Sequence, residues 1–273
     1  MRRAASWALA LAAAVALAAG ALLTYAEHTV FRSGAFADRA AASLEEPAVR
    51  AAVARRLGDV AIGAKPDLVA IRPIVEAAAR GVVSTAAFRS LLRRAVHDAH
   101  RSAFNGEADA VTLRVRDAGL LLAAGVRRFR PDLAERFPVR VPAGVARVAG
   151  GFNGFLLSLA QRAERARVAI PIAFGLALVL ALAAVVVTRS ARLAALRLGA
   201  AVAVVGAVVA LASSLGPRAV AANAGGADRE AVRAAVAVWL DPLTAWAVAA
   251  AAAGLVVALA AAAVLRPLPV AAL

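Results

Sequence analysis

The chain has 273 residues, 63% of them hydrophobic, and a mean hydropathy of +0.77, which excludes an ordinary water-soluble domain of this length. Its 32 basic and 17 acidic side chains leave a net charge of +15; Lys65 is the single lysine, an arginine and alanine bias that GC-rich bacterial coding also produces. There is no cysteine, so disulfides, thiolate metal sites and cysteine nucleophiles are excluded.

Met1-Arg2-Arg3 precedes an uncharged stretch from Ala4 to Ala26. Within it, Trp7 to Tyr25 is the first of four segments long enough to cross a hydrocarbon core of about 30 Å, which takes roughly 20 apolar residues as helix. A basic start followed by small residues also suits a cleaved signal peptide. The length of the uncharged run favours a retained signal anchor, residues 1–26.

Residues 27–167 are far more polar, with 22 arginines and one lysine against 14 carboxylates, and read as a mostly helical domain of ordinary size. A serine-capped helix is predicted from Ser33 to Glu45. Pro47 suits the first position of the next, PAVRAAVARRLGDVAI, and Pro66 opens a third, in which Pro73 marks a break. Ser84 is the predicted cap of TAAFRSLLRRAVHDAHRSAF, a helix ending at Asn105-Gly106. Its Phe88, Leu91, Leu92, Ala95, Ala99 and Ala103 share one face and are assigned to the core, with the histidines and arginines mostly elsewhere. VTLRVR at 111–116 and VRV at 139–141 alternate as a short two-stranded β element. Asp117 caps AGLLLAAGVRRF between them, and Arg130-Pro131 ends that helix. A last helix starts from Gly150-Gly151 and continues into the second span.

Three further spans follow closely: residues 168–188, 194–215 and 243–265. None of the four contains Asp, Glu or Lys. Since backbone groups in lipid must bond within the segment, all four are expected to be helices. Arginines near short loops set the orientation. Arg2 and Arg3 hold the N-terminus in the cytoplasm while Glu27 emerges, which makes 27–167 extracytoplasmic. The link 189–193, with Arg189 and Arg192, is then cytoplasmic, as are Arg197 and the tail 266–273. The flanking Arg162, Arg165 and Arg167 oppose this, but a large translocated domain weakens their influence. The external link 216–242 contains a predicted amphipathic helix from Asp228 to Asp241-Pro242. Its Val232, Ala235, Val236, Trp239 and Leu240 lie on the interface or pack under the domain, with Trp239 and Trp246 at headgroup depth. Small residues repeat every four positions at Ala12, Ala16 and Gly20 and at Ala250, Gly254, Ala258 and Ala262, a pattern that lets helices approach closely. The fold class is therefore an all-α membrane protein with four transmembrane helices and a helical extracytoplasmic domain.

The segments FADRAAASLEEPAVRAAVARRL, KPDLVAIRP, TAAFRSLLRRAVHDAHRSAFNG and VTLRVRDAG together resemble an uncharacterised actinobacterial family of four-span integral membrane proteins. That resemblance implies the anchor, the external domain and three closely spaced spans, and no chemistry.

His97 and His100, three apart around Asp98, could approach a metal, but Arg93, Arg94 and Arg101 repel a cation and no further ligands are in view. Both histidines are read as part of a solvated face. Gly150-Gly151-Phe152-Asn153-Gly154 fits neither phosphate-loop spacing and is read as a hinge before a helix. No GxSxG or HExxH motif occurs. The chain is accordingly expected not to be an enzyme, with no catalytic, cofactor-binding or metal-binding residues and no cofactor. The expected function is a binding or scaffolding module that displays a basic domain in the envelope. Its expected partners are the lipid bilayer and an envelope protein or anionic polymer, homo-oligomers being allowed. Nucleic acid is excluded, because aromatic and basic residues are not interleaved for base stacking. The alternative is a transport component, either an accessory subunit or a homo-oligomeric pore, although the spans lack the ionisable residues that transport usually needs.

Overall fold

The computed structural model describes residues 2–64, 72–104 and 143–265, and every regular element in them is helical. Helix α1 runs over Arg2–Ala26 and passes into a single π turn at Glu27–Phe31. Helices α2, α3, α4 and α5 follow at Ser33–Ala42, Pro47–Ala64, Arg72–Val83 and Ala86–Phe104. Three long helices complete the described chain: α6 at Ala143–Thr188, α7 at Ala191–Ala222 and α8 at Arg229–Leu265. Four helices are long and apolar enough to cross a membrane. The proposed β element at 111–116 and 139–141 and the helix after Asp117 lie outside the described residues.

Several local predictions shift. The Ser33–Glu45 helix is regular only to Ala42, and a 3₁₀ turn at Ser43–Glu45 completes it. Pro47 begins α3 as its fixed φ and missing N–H favour. Pro73 sits in the first turn of α4, as a break there requires, while Pro66 lies outside the described residues. Thr85, and not Ser84, caps α5: its Oγ1 accepts from the Phe88 N–H at 3.1 Å, while Ser84 Oγ donates back to the Gly81 carbonyl at 2.8 Å. Gly150 and Gly151 lie within α6, which begins at Ala143, so they form no hinge ahead of a helix. The helix expected to stop at Asp241-Pro242 instead runs on to Leu265.

The described chain divides into two compact units. Unit 1 comprises Met1–Glu27, Arg165–Gly216 and Trp239–Leu273; unit 2 comprises His28–Glu164 and Pro217–Val238.

Unit 1 packs with small residues inside. Ala10 and Ala14 of α1 meet Ala201 of α7, with Leu198, Val202 and Val205 around them. Helices α7 and α8 touch backbone to backbone. A Cβ on Gly199 would lie 2.7 Å from the Gly254 carbonyl oxygen, and one on Gly206 would lie 2.9 Å from the Ala251 nitrogen. Gly20 on α1 leaves room for the Phe174 ring of α6. The contact stripe on α8 is thus Ala247, Ala251, Gly254 and Ala258; Gly254 and Ala258 belong to the predicted series, whereas its Ala250 is exposed. Across α7 and α8, Thr244 Oγ1 and Ser213 Oγ are 2.9 Å apart.

The large side chains of unit 1 point outward. Val168, Ile172, Leu178 and Val179 are each 62% exposed, and Val186 and Trp246 each 74%. Exposing that much apolar surface to water costs roughly 25 cal/mol per Å², whereas hydrocarbon solvent makes the same surface neutral. Close packing by Gly and Ala beneath an outer layer of Val, Leu and Ile is the arrangement suited to lipid.

Unit 2 has the opposite polarity, with a water-type core of Leu44, Val49, Ala54 and Val83. Val53, Leu57, Ala79, Phe88 and Leu92 close around it, and so do Ala234 and Ala235 from the start of α8. Helix α2 packs on α5 and α3 on α4. Within the amphipathic segment, Ala234 and Ala235 pack against the core of unit 2.

Candidate functional site

Helix α5 organises the polar chemistry of unit 2. Phe88 and Leu92 fix its rotation by facing the core. Two turns beyond Leu92 the helix carries His100, which is fully buried, and Ser102 is buried as well. Helical spacing from Phe88 and Leu92 selects Ala99 and leaves His100 to one side of that face, so periodicity did not reveal that His100 is buried and not solvated.

Both nitrogens of His100 are engaged. Nε2 lies 2.8 Å from the Val30 carbonyl, and Nδ1 lies 3.0 Å from Ser33 Oγ. A carbonyl only accepts, so Nε2 carries the proton, and Nδ1 accepts from the Ser33 hydroxyl. Phe104 stacks on the ring at 4.3 Å between centroids, and Phe36 lies against it at 4.7 Å. This burial holds the imidazole below its ordinary pKa; the Val30 hydrogen bond pulls upward and neighbouring His97 pushes slightly further down. The neutral ring therefore joins the π turn, α2 and α5, which explains why Ser33 does not cap α2. Metal ligation by His100 would break one of these two bonds.

His97 points away from the core. Its Nδ1 is 3.2 Å from Asp98 Oδ1 and its side chain is 39% exposed. Thus the two histidines do not converge, and the described residues contain no group of three or more ligand-type side chains that could hold a metal.

Around His97 and the Asp98 carboxylate, α5 carries four arginines. On α5, Arg89 is 3.2 Å from Glu45 and Arg93 pairs with Asp38. Arg94 and Arg101 are exposed, with no carboxylate partner among the described residues. Positions 94, 97 and 101 are separated by three and four residues and so share a face. No family model, curated protein or solved structure matches the chain.

Two more arginines of unit 2 are held. Arg56 is 2.7 Å and Arg55 3.2 Å from the Asp228 carboxylate, and Arg55 also donates to the Ala227 carbonyl at 2.8 Å. These bonds, from Arg56 first and Arg55 second, hold the Asp228 carboxyl below its usual pKa. Asp228 also stands at the start of α8, where its carbonyl accepts from the Val232 N–H at 2.9 Å, so negative charge there suits the helix dipole. Arg39 donates to the Val238 carbonyl at 3.3 Å, the position whose usual partner four residues on is Pro242, which has no N–H. The consumption of Arg39, Arg55, Arg56, Arg89 and Arg93 in structure leaves Arg94 and Arg101 as the accessible cations of the α5 face.

Proposed function

We propose that the protein is an integral membrane binding or scaffolding module that displays unit 2 outside the membrane to an anionic envelope component, polymer or protein. The observation that carries this reading is the Arg94, His97 and Arg101 face, where two guanidinium groups stay exposed while neighbouring arginines are paired. Clustered charge of one sign raises the local concentration of oppositely charged partners and speeds their encounter.

In the proposed orientation both chain ends are cytoplasmic and residues 27–167 are extracytoplasmic. Arg3, Arg189 and Arg192 beside the spans support it, with Glu27 at the other end of the first span. A reporter fused at residue 100 should be active only outside the membrane. For binding, crosslinking in native membranes should recover one set of partners with the wild-type chain and lose it with R94E/R101E. Recovery of an identical set from both would refute the assignment of this face.

A further inference from the structure

The other concentration of charge lies in unit 1, where α6 ends at Thr188, α7 begins at Ala191 and α1 begins at Arg2. Arg197 of α7 donates to Ser6 Oγ of α1, and the buried Ser6 in turn donates to the Arg3 carbonyl at 2.9 Å. Arg3, Arg189, Arg192 and Arg197 are thus carried by helix ends that meet at one level of the unit.

None of these four arginines has a carboxylate partner among the described residues. The sequence of unit 1 contains only two carboxylates, Glu27 and Asp241. Both belong to the opposite end of the helices: Glu27 follows α1 and lies 3.8 Å from Arg167, and Asp241 adjoins Trp239, whose carbonyl accepts from Tyr25 near the end of α1. Among the described residues, the charged side chains at this end of the unit are all arginines.

The connection between α6 and α7 adds an independent observation. Arg189 has φ 54°, in the left-handed region, where a side chain is disfavoured roughly tenfold and glycine is the usual residue after a helix. An arginine occupies a backbone position suited to glycine. The half-buried Arg197 guanidinium gives Ser6 one of its five N–H groups, and its planar fork matches phosphate oxygens.

We infer that Arg189, Arg192 and Arg197, with Arg3, form a binding site for the phosphate of an anionic phospholipid headgroup. The site lies where the apolar spans end, which is headgroup depth, and it works in whichever leaflet that end occupies. The acyl chains of the lipid run down the exposed apolar flank of α6, along Val186, Leu182 and Val179.

The test uses the full chain in nonionic micelles, with the unfolding midpoint followed during titration by phosphatidylglycerol, phosphatidylcholine or inorganic phosphate. Phosphatidylglycerol should raise the midpoint, and the other two should not. R189Q/R192Q should weaken the phosphatidylglycerol response roughly 25-fold, about fivefold for each guanidinium. R189G guards against misfolding: it should unfold at a higher temperature than wild type without lipid, yet respond about fivefold more weakly to phosphatidylglycerol. Equal responses to phosphatidylglycerol and phosphatidylcholine would overturn the proposal, as would a full response in R189G. A shift with inorganic phosphate equal to that with phosphatidylglycerol would replace the lipid by a free anion.

Discussion

Gly254→Ala adds one methyl group where α7 and α8 have no room for it. Its Cβ would sit 2.7 Å from both the Ala203 nitrogen and the Gly199 carbonyl oxygen, and 3.1 Å from Val202 Cβ. Two of these atoms are backbone and cannot rotate away. Reaching ordinary contact near 3.4 Å requires the helices to part locally by about 0.7 Å, enough to forfeit a quarter to a half of each neighbouring dispersion contact. Overpacking of this kind costs about 1–3 kcal/mol, offset by up to about 1 kcal/mol of helix propensity. Gly175→Ala on α6 isolates the second effect, since nothing lies within 4 Å of the added Cβ. Reversible unfolding of the full chain in mixed micelles, followed by circular dichroism, should rank Gly175→Ala at or above wild type and Gly254→Ala about 1–3 kcal/mol below Gly175→Ala. Gly199→Ala, facing the same gap, should be destabilising alone but less than additive with Gly254→Ala, because one separation relieves both. Equal stability of Gly254→Ala and Gly175→Ala would refute direct backbone contact between the helices.

Further expectations concern unit 2. His100 is depressed in the folded state, so its contribution is complete above the unfolded value of about 6.5 and declines as pH falls from there toward the folded value, by at most about 1.4 kcal/mol per pH unit. Hydrogen exchange of α2 and α5 peptides, corrected for intrinsic rate, should rise between pH 7 and 5 in wild type and lose that dependence in His100→Gln; His97 and Asp98 adjoin the site, so His97→Gln is the control. Asp228→Asn should cost about 1 kcal/mol, read by denaturant unfolding, because the ion pairs are partly exposed. Its carboxyl is depressed, so this stability is present above about pH 4 and is lost as pH falls through the folded value. Leu44→Ala, at 2% exposure in the core, should cost about 2–5 kcal/mol in thermal unfolding.

The spans were legible because length and apolarity alone specify them; their ends were not. Proline was read as a terminator at Asp241-Pro242, yet Pro171, Pro217 and Pro242 all lie inside helices, as lipid and tightly packed neighbours allow when freed carbonyls find other donors. Arg39 at Val238 is such a donor, and no local pattern connects residues 199 apart. The small-residue stripe on α8 was legible at Gly254 and Ala258 but not at its start, where Ala247 and Ala251 and not Ala250 make the contact; an alanine-rich helix offers several equivalent stripes, and Gly199, Gly206 and Gly254 decide between them only once α7 and α8 are paired. On α5 the core residues Phe88 and Leu92 were legible by periodicity, whereas the bonds of His100 to Val30 and Ser33 depend on distant segments. Likewise, Arg94 and Arg101, which have no carboxylate partner among the described residues, emerge only after Glu45 and Asp38 are seen to occupy Arg89 and Arg93.

Unit 2 draws Ala234 and Ala235 into its core and pins Asp228 between two arginines, although these residues are made after three of the four apolar helices. A ribosome that has released residues 28–164 has therefore supplied a domain still missing one wall. During that interval the cluster of Leu44, Val49, Ala54 and Val83 lacks the cover of Ala234 and Ala235, which should leave the nascent chain more open to proteases and to chaperone binding. Excising residues 27–167 for expression alone would make that unfinished state permanent.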